Sequence, residues 1–125
     1  MSATTYTISE MIGKTPVSIE QDAEEIVFLF SDGTKGVFYH SQDCCESVYV
    51  EDVMGDWSDL IGHPILVAEE RSQENPNALE SGTWTFYTFR GVGGSVDVRW
   101  NGESNGYYSE SVDFKMMQPN GEDRG

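Results

Sequence analysis

The sequence predicts a mainly β fold, in which about seven short strands form an antiparallel sheet that is rolled or sandwiched. Several segments alternate apolar and polar residues, as residues 96–100 (Val-Asp-Val-Arg-Trp) do, and this period of two is typical of half-buried strands. Turn signals such as Asp32-Gly33 separate these segments at short intervals. One or two short helical turns complete the prediction, and an α+β arrangement remains open. With 125 residues, the chain is expected to form a single domain, residues 1–125.

Local residue patterns predict the individual strands and helical turns. Residues 5–13 are ambiguous, because they could begin a strand or form a helical turn capped by Ser9 and ended by Gly13. Residues 25–30 are apolar on both faces, which predicts a central strand. Candidate strands occupy residues 17–20, 25–30, 35–40, 48–50, 65–68, 83–89, 96–100 and 112–116.

The segments between the strands carry turn and loop signals. Asp56 or Ser58 could cap a single helical turn within residues 55–62. Residues 71–82 are polar and are predicted to form a surface loop. Turns are expected at residues 91–94, Asn101-Gly102 and Asn105-Gly106, and the tail 119–125 is expected to be frayed.

Acidic residues dominate the charge. The chain has 22 Asp and Glu against 7 Lys and Arg, a formal net charge of −15. This balance argues against a nucleic-acid binder that uses a basic patch. Residues 36–70 contain no Lys or Arg, and such a field attracts basic partners. The stretch contains Asp43, Glu46, Glu51, Asp52, Asp56, Asp59, Glu69 and Glu70. The alternative is a solvated surface that only promotes solubility.

Three aromatic residues in polar surroundings are candidate partner contacts. Trp57 is flanked by acidic residues, and Tyr107 and Tyr108 follow a tight turn. Each is either an exposed anchor for a partner or a cover over the edge of the core.

The two cysteines, Cys44 and Cys45, are adjacent in the sequence. Adjacent cysteines rarely form a disulfide, because their Cα atoms lie closer than normal bridge geometry requires. We therefore expect no disulfide and a cytoplasmic location. We expect no signal peptide, because residues 1–13 have neither a basic start nor an apolar run, and no window is apolar enough to predict a membrane span.

Metal binding is a second possibility. His40, Cys44, Cys45 and His63 are zinc-ligand types, but the paired short spacing of structural zinc sites is missing. Asp52, Asp56 and Asp59 lie close together, but they lack the spacing of a calcium loop. No P-loop, HExxH or GxSxG motif is present, so no cofactor and no catalytic residue is predicted.

Two blocks carry a resemblance. They read QDCCESVYVEDVMGDWSDLIGHPILVAEE (residues 42–70) and RWNGESNGYYSESVDF (residues 99–114). The chain resembles an uncharacterised family of small acidic proteins of bacteriophages and bacteria over roughly residues 30–114. The resemblance implies a phage-related, intracellular origin, and it implies no activity and no functional residue.

The function expected from these observations is that of an acidic protein-binding module without enzymatic activity. Its partner would be a basic host protein, and one way to inhibit such a protein is to present carboxylates where DNA phosphates dock. The alternative is a metal-binding protein or metal-dependent enzyme that uses His40, Cys44, Cys45 and nearby carboxylates. Neither reading involves direct binding to nucleic acid or to a membrane, and the oligomeric state is not predicted.

Overall fold

A computed structural model describes residues 7–42 and 44–119, in which eight strands form two four-stranded antiparallel sheets. In spatial order, the first sheet contains β1 (Pro16–Gln21), β2 (Ile26–Phe30), β3 (Lys35–Tyr39) and β8 (Asp113–Met117). The second sheet contains β4 (Ser47–Met54), β7 (Gly94–Ser104), β6 (Ser81–Gly91) and β5 (Val67–Glu74). The predicted fold class is confirmed, and β2 occupies the central position that its two apolar faces predict.

Aromatic side chains from the two sheets meet in a shared core. The rings of Phe28 and Phe89 lie 5.0 Å apart, and those of Phe38 and Tyr87 lie 4.9 Å apart. All four side chains are buried. Burial of one apolar face of each sheet against the other is the main stabilising force in such a sandwich.

Two short 3₁₀ turns supplement the strands. The first, Ile8–Met11, confirms the helical alternative for the part of the opening segment that is described; residues 5 and 6 lie outside the described residues. The predicted cap is wrong, because Thr7 is the N-cap and Ser9 lies inside the turn. The second, Trp57–Asp59, begins as predicted, because the Asp56 side chain accepts a hydrogen bond from the Ser58 amide at 3.0 Å. Within the described residues, no helix has the length and apolar character needed to cross a membrane.

β5 is longer than the sequence predicts. Residues 71–74, which were assigned to a surface loop, continue the strand, and the loop that follows is confined to residues 75–80. Every residue from 69 to 74 is exposed. The segment is held by backbone pairing to β6 and has no apolar face to produce the alternation that predicts a strand.

The Asn101-Gly102 pair lies inside β7 and does not form a turn. Asn101 is buried, and its amide bonds to Asn75, Tyr49 and Glu103 satisfy it there. A Cβ atom at Gly102 would collide with the Glu110 carbonyl oxygen. This glycine therefore permits a close backbone approach and does not supply a turn conformation.

A disulfide joins Cys44 and Cys45, so the prediction of unpaired cysteines is wrong. The two residues form a bend between β3 and β4, outside both sheets. Consecutive side chains point in opposite directions in a strand, but a bend removes that constraint. The expectation of a reducing compartment therefore loses the argument on which it was based.

Candidate functional site

The end of β1 and the turn that joins it to β2 present four carboxylates. The Asp22 side chain accepts hydrogen bonds from the amides of Glu24 and Glu25, at 2.8 and 2.9 Å, and this fixes the turn. Glu20, Asp22, Glu24 and Glu25 are all exposed. Residues 20–25 therefore place four acidic side chains in solvent, one at the end of β1 and three in the turn.

Two contacts attach other acidic segments to this turn. The Val50 amide donates to the Ala23 carbonyl at 2.7 Å, which joins β4 to the turn. The Trp57 indole donates to the Gln21 side chain at 3.4 Å, which brings the second 3₁₀ turn to the end of β1. We call the resulting patch the acidic surface. It consists of Glu20, Asp22, Glu24, Glu25 and Asp56, all of them exposed. Asp52, another acidic residue predicted to contact a partner, instead lines a separate depression that also contains Arg71 and Arg99.

Two depressions adjoin the β1–β2 turn. The larger, of about 710 Å³, is lined by Asp22, Glu24 and Glu25 together with Tyr39 and His40. The smaller, of about 120 Å³, is lined by Glu20, Asp22 and Glu25. Neither depression is lined by a Lys or Arg among the described residues. Concave walls of uncompensated carboxylates can accept the cationic side chains of a partner.

Asp56 and Glu51, two of the acidic residues predicted to contact a partner, differ in how far a neighbouring group compensates their charge. The bonds that Asp56 accepts from the backbone and the side chain of Ser58 lower the pKa of its carboxyl, which therefore remains ionised. Glu51, in contrast, accepts a bond from the Arg99 guanidinium at 2.6 Å. Its charge is largely compensated, so we do not include it in the acidic surface.

Glu46, also predicted to contact a partner, is buried. Its carboxylate bonds to Nε2 of His40 at 2.8 Å, and Nδ1 of His40 bonds to the Ser111 carbonyl at 2.8 Å. The Glu46 carboxylate is therefore held inside the protein and is not presented to a partner, so we do not include it in the acidic surface.

The three aromatic candidates have different surroundings. Trp57 is half-buried and packs edge-on against Phe28 at 5.6 Å, so it covers the core. Tyr107 is 88% exposed, and Tyr108 is half-buried. Neither tyrosine lines the depressions beside the acidic surface. Of the three, only Tyr107 has the exposure of a free anchor.

The remaining predicted acids lie elsewhere or cannot be placed. Glu69 and Glu70 are in β5, which is three strand spacings, or about 14 Å, from β4. Glu70 accepts a bond from the buried Tyr87 hydroxyl at 2.9 Å. Asp59 is exposed at the end of the second 3₁₀ turn. Asp43 is outside the described residues, as are residues 120–125 of the predicted frayed tail.

The residues of the metal hypothesis do not assemble into a ligand set. Both ring nitrogens of His40 are hydrogen-bonded, and the two cysteine sulfurs are joined to each other. Within residues 7–42 and 44–119, no group of three or more His, Cys, Asp or Glu side chains could hold a metal ion.

The sequence reasoning missed Glu20, Asp22, Glu24 and Glu25, although a signal was present. Residues 15–70 contain 13 of the 22 Asp and Glu but only one of the seven Lys and Arg, which is Lys35. The choice of residues 36–70 as the acidic stretch stopped at that lysine. Four of the six residues 20–25 are acidic, whereas no six-residue window of residues 36–70 contains more than three acidic residues.

The comparisons with known proteins bear on the family. No match was found among curated proteins, and none was found among solved structures. A family model matches residues 9–114, which is most of the chain. The expectation of an uncharacterised family is thereby confirmed: the chain belongs to the family described as Domain of unknown function (DUF7448).

Proposed function

We propose that this protein binds a basic protein through the acidic surface, without enzymatic activity of its own. The partner is a host nucleic-acid-binding or defence protein, and the carboxylates occupy its phosphate-binding Lys and Arg residues. On this proposal the protein is an inhibitor that acts by charge mimicry in the host cytoplasm. The resemblance to acidic proteins of phages and bacteria motivates the choice of a host partner.

The observation that carries the proposal is the pair of depressions walled by exposed carboxylates. An ordinary soluble surface intersperses charges of both signs. The acidic surface instead concentrates carboxylates from two chain segments, residues 20–25 and the start of the second 3₁₀ turn. Such a field speeds encounter with a cationic partner and weakens as salt screens it.

The first test is capture of a partner from a lysate of the host cells, with the protein immobilised at low and at high salt. The proposal expects a basic nucleic-acid-binding protein that is retained at low salt and released at high salt. Duplex DNA should displace it, because DNA and the acidic surface would occupy the same residues of the partner. A captured protein that binds DNA and the acidic protein at the same time would contradict the mimicry.

A matched pair of variants tests the location. Replacing Glu24 and Glu25 by Gln raises the net charge by two, and the single change Glu80→Lys raises it by the same amount. Glu80 is exposed in the loop after β5, outside the acidic surface. Capture should fall for E24Q/E25Q and persist for E80K. Equal loss in both variants would show that overall charge, and not this surface, drives the binding.

A further inference from the structure

β5 is a long edge strand, against which the first 3₁₀ turn packs. It is the last strand of the second sheet, and it pairs with β6 through eight consecutive residues without a register shift. Residues 69–74 are exposed on both faces of the sheet. Among the described residues, no backbone hydrogen bond joins residues 69–74 to an element other than β6. One side of this strand therefore presents unpaired amides and carbonyls.

The other edge strands are less suited to pairing. β1 begins at Pro16 and has a register shift between Pro16 and Ser18. β4 has a shift between Val50 and Asp52, and the β1–β2 turn bonds to its Val50. β8 is only five residues long. Bulges, prolines and shortness protect edges from further pairing, and β5 has none of these three features. Its protection consists of charged side chains and of the contact with the first 3₁₀ turn, and the charges disfavour a like-charged strand more than an oppositely charged one.

The side chains of β5 define what could pair with it. Glu69, Glu70 and Glu74 are acidic, and Arg71 is the only basic residue of the strand. Residues directly opposite each other in an antiparallel pair interact through their side chains, and opposite charges stabilise the pair. We propose that β5 binds an extended basic peptide segment as an added antiparallel strand, with cationic residues opposite the three glutamates and an acidic residue opposite Arg71.

This interface goes beyond the proposed function, because β5 and β4 form opposite edges of the second sheet. A second copy of this chain is the less suitable occupant. Each copy carries a formal charge of −15, and like charges repel two copies that approach edge to edge. A cationic segment gains from the same field.

The probe is the peptide KTVEKK, with blocked ends. In antiparallel alignment its lysines lie opposite Glu74, Glu70 and Glu69, and its glutamate lies opposite Arg71. Titration into the full chain, followed by amide chemical shifts, should perturb residues of β5 and leave β1 and β8 unchanged. Perturbation centred on another element, or the absence of binding at millimolar peptide, would overturn the proposal.

N-methylated versions of the peptide distinguish binding by backbone pairing from binding by charge attraction alone. Alternate residues of an added strand direct their N–H groups toward β5, and the others direct them away. Methylation of the first set should abolish binding, and methylation of the second should preserve it. Equal binding of the two methylated peptides would refute strand addition.

A charge swap tests the register. Glu69→Lys should weaken binding of KTVEKK by about two- to five-fold, the effect of one cross-strand charge pair. The peptide KTVEKE should then bind this variant better than KTVEKK does. The variant E24Q/E25Q should bind KTVEKK like the wild type, so failure of the acidic surface and failure of this interface are distinguishable. Concentration-dependent dimers that pair through β5 would show that a second copy occupies the edge, and would overturn the proposal.

Discussion

At the scale of single residues, the pair of His40 and Glu46 shows how sequence position can mislead. Both were candidates for solvent-facing chemistry, as a metal ligand and as a partner-binding carboxylate. The structure instead buries them against each other, with side chains 4% and 0% exposed. The Glu46 carboxylate also accepts the Cys44 amide at 2.9 Å. A six-residue separation gives no sign of such a contact, because the loop that closes it follows no regular period.

Removal of one member of this pair should destabilise the fold. Glu46→Ala leaves the His40 ring and the Cys44 amide without their partner, and breaking a buried ionisable pair costs about 3–5 kcal/mol. Urea denaturation would measure the change in the free energy of unfolding. The control Glu80→Ala should lie within about 0.5 kcal/mol of the wild type, because Glu80 is exposed. A loss of less than about 1 kcal/mol for E46A would contradict the buried pairing.

Asp32 should make the stability depend on acid pH. Hydrogen bonds from Lys14 and from Thr34 lower the pKa of its carboxyl from 3.8 to about 2. A pKa lowered in the folded state contributes stability above the unfolded value and loses it as the pH falls through the folded value. The side chain is half-exposed, so the contribution is at most about 1 kcal/mol.

The variant Asp32→Asn isolates this effect. The difference in thermal midpoint between wild type and D32N should be largest above pH 4 and should shrink between pH 4 and pH 2. Thermal melts across this range provide the measurement. A difference that stays constant from pH 6 to pH 2 would show that Asp32 does not carry the predicted linkage.

At the scale of elements, sequence pattern succeeded where strands bury one face. β7 and β8 alternate apolar and polar residues, whereas β2 is recognisable from its two apolar faces and β6 from its aromatic and threonine residues; all four strands contribute side chains to the core. It failed for residues 71–74 of β5 and for the end of β7. In β5 only the backbone pairs, and at Asn101 a polar network replaces apolar burial. Both arrangements depend on neighbours that are distant in sequence.

The second 3₁₀ turn should be held mainly by Trp57. Its ring packs against Phe28 at 5.6 Å and Phe89 at 6.2 Å, and its indole donates to Gln21. Trp57→Ala should lower the free energy of unfolding by about 2–3 kcal/mol, somewhat less than for a fully buried aromatic residue. Trp57→Phe should recover most of that loss. A W57A variant that is as stable as the wild type but no longer captures a partner would instead make Trp57 an exposed anchor.

At the scale of the whole molecule, the distribution of charge carries the functional account. The sequence identified the net charge and the acidic middle of the chain, but no strand order was available to show which carboxylates gather. The fold separates Glu69 and Glu70 from the acidic surface and buries Glu46. The hydrogen bond between Val50 and Ala23 holds residues 20–25 next to β4. Contacts between segments that are distant in sequence therefore decide which acidic residues lie together on one surface.

The most direct test of this account is the salt dependence of binding to the purified partner. The dissociation constant of wild type, E24Q/E25Q and E80K would be measured by titration calorimetry over a range of salt concentrations. The account predicts steep weakening with salt for wild type and E80K, and both weaker binding and a shallower slope for E24Q/E25Q. The same slope and affinity in all three proteins would contradict the claim that the acidic surface binds the partner.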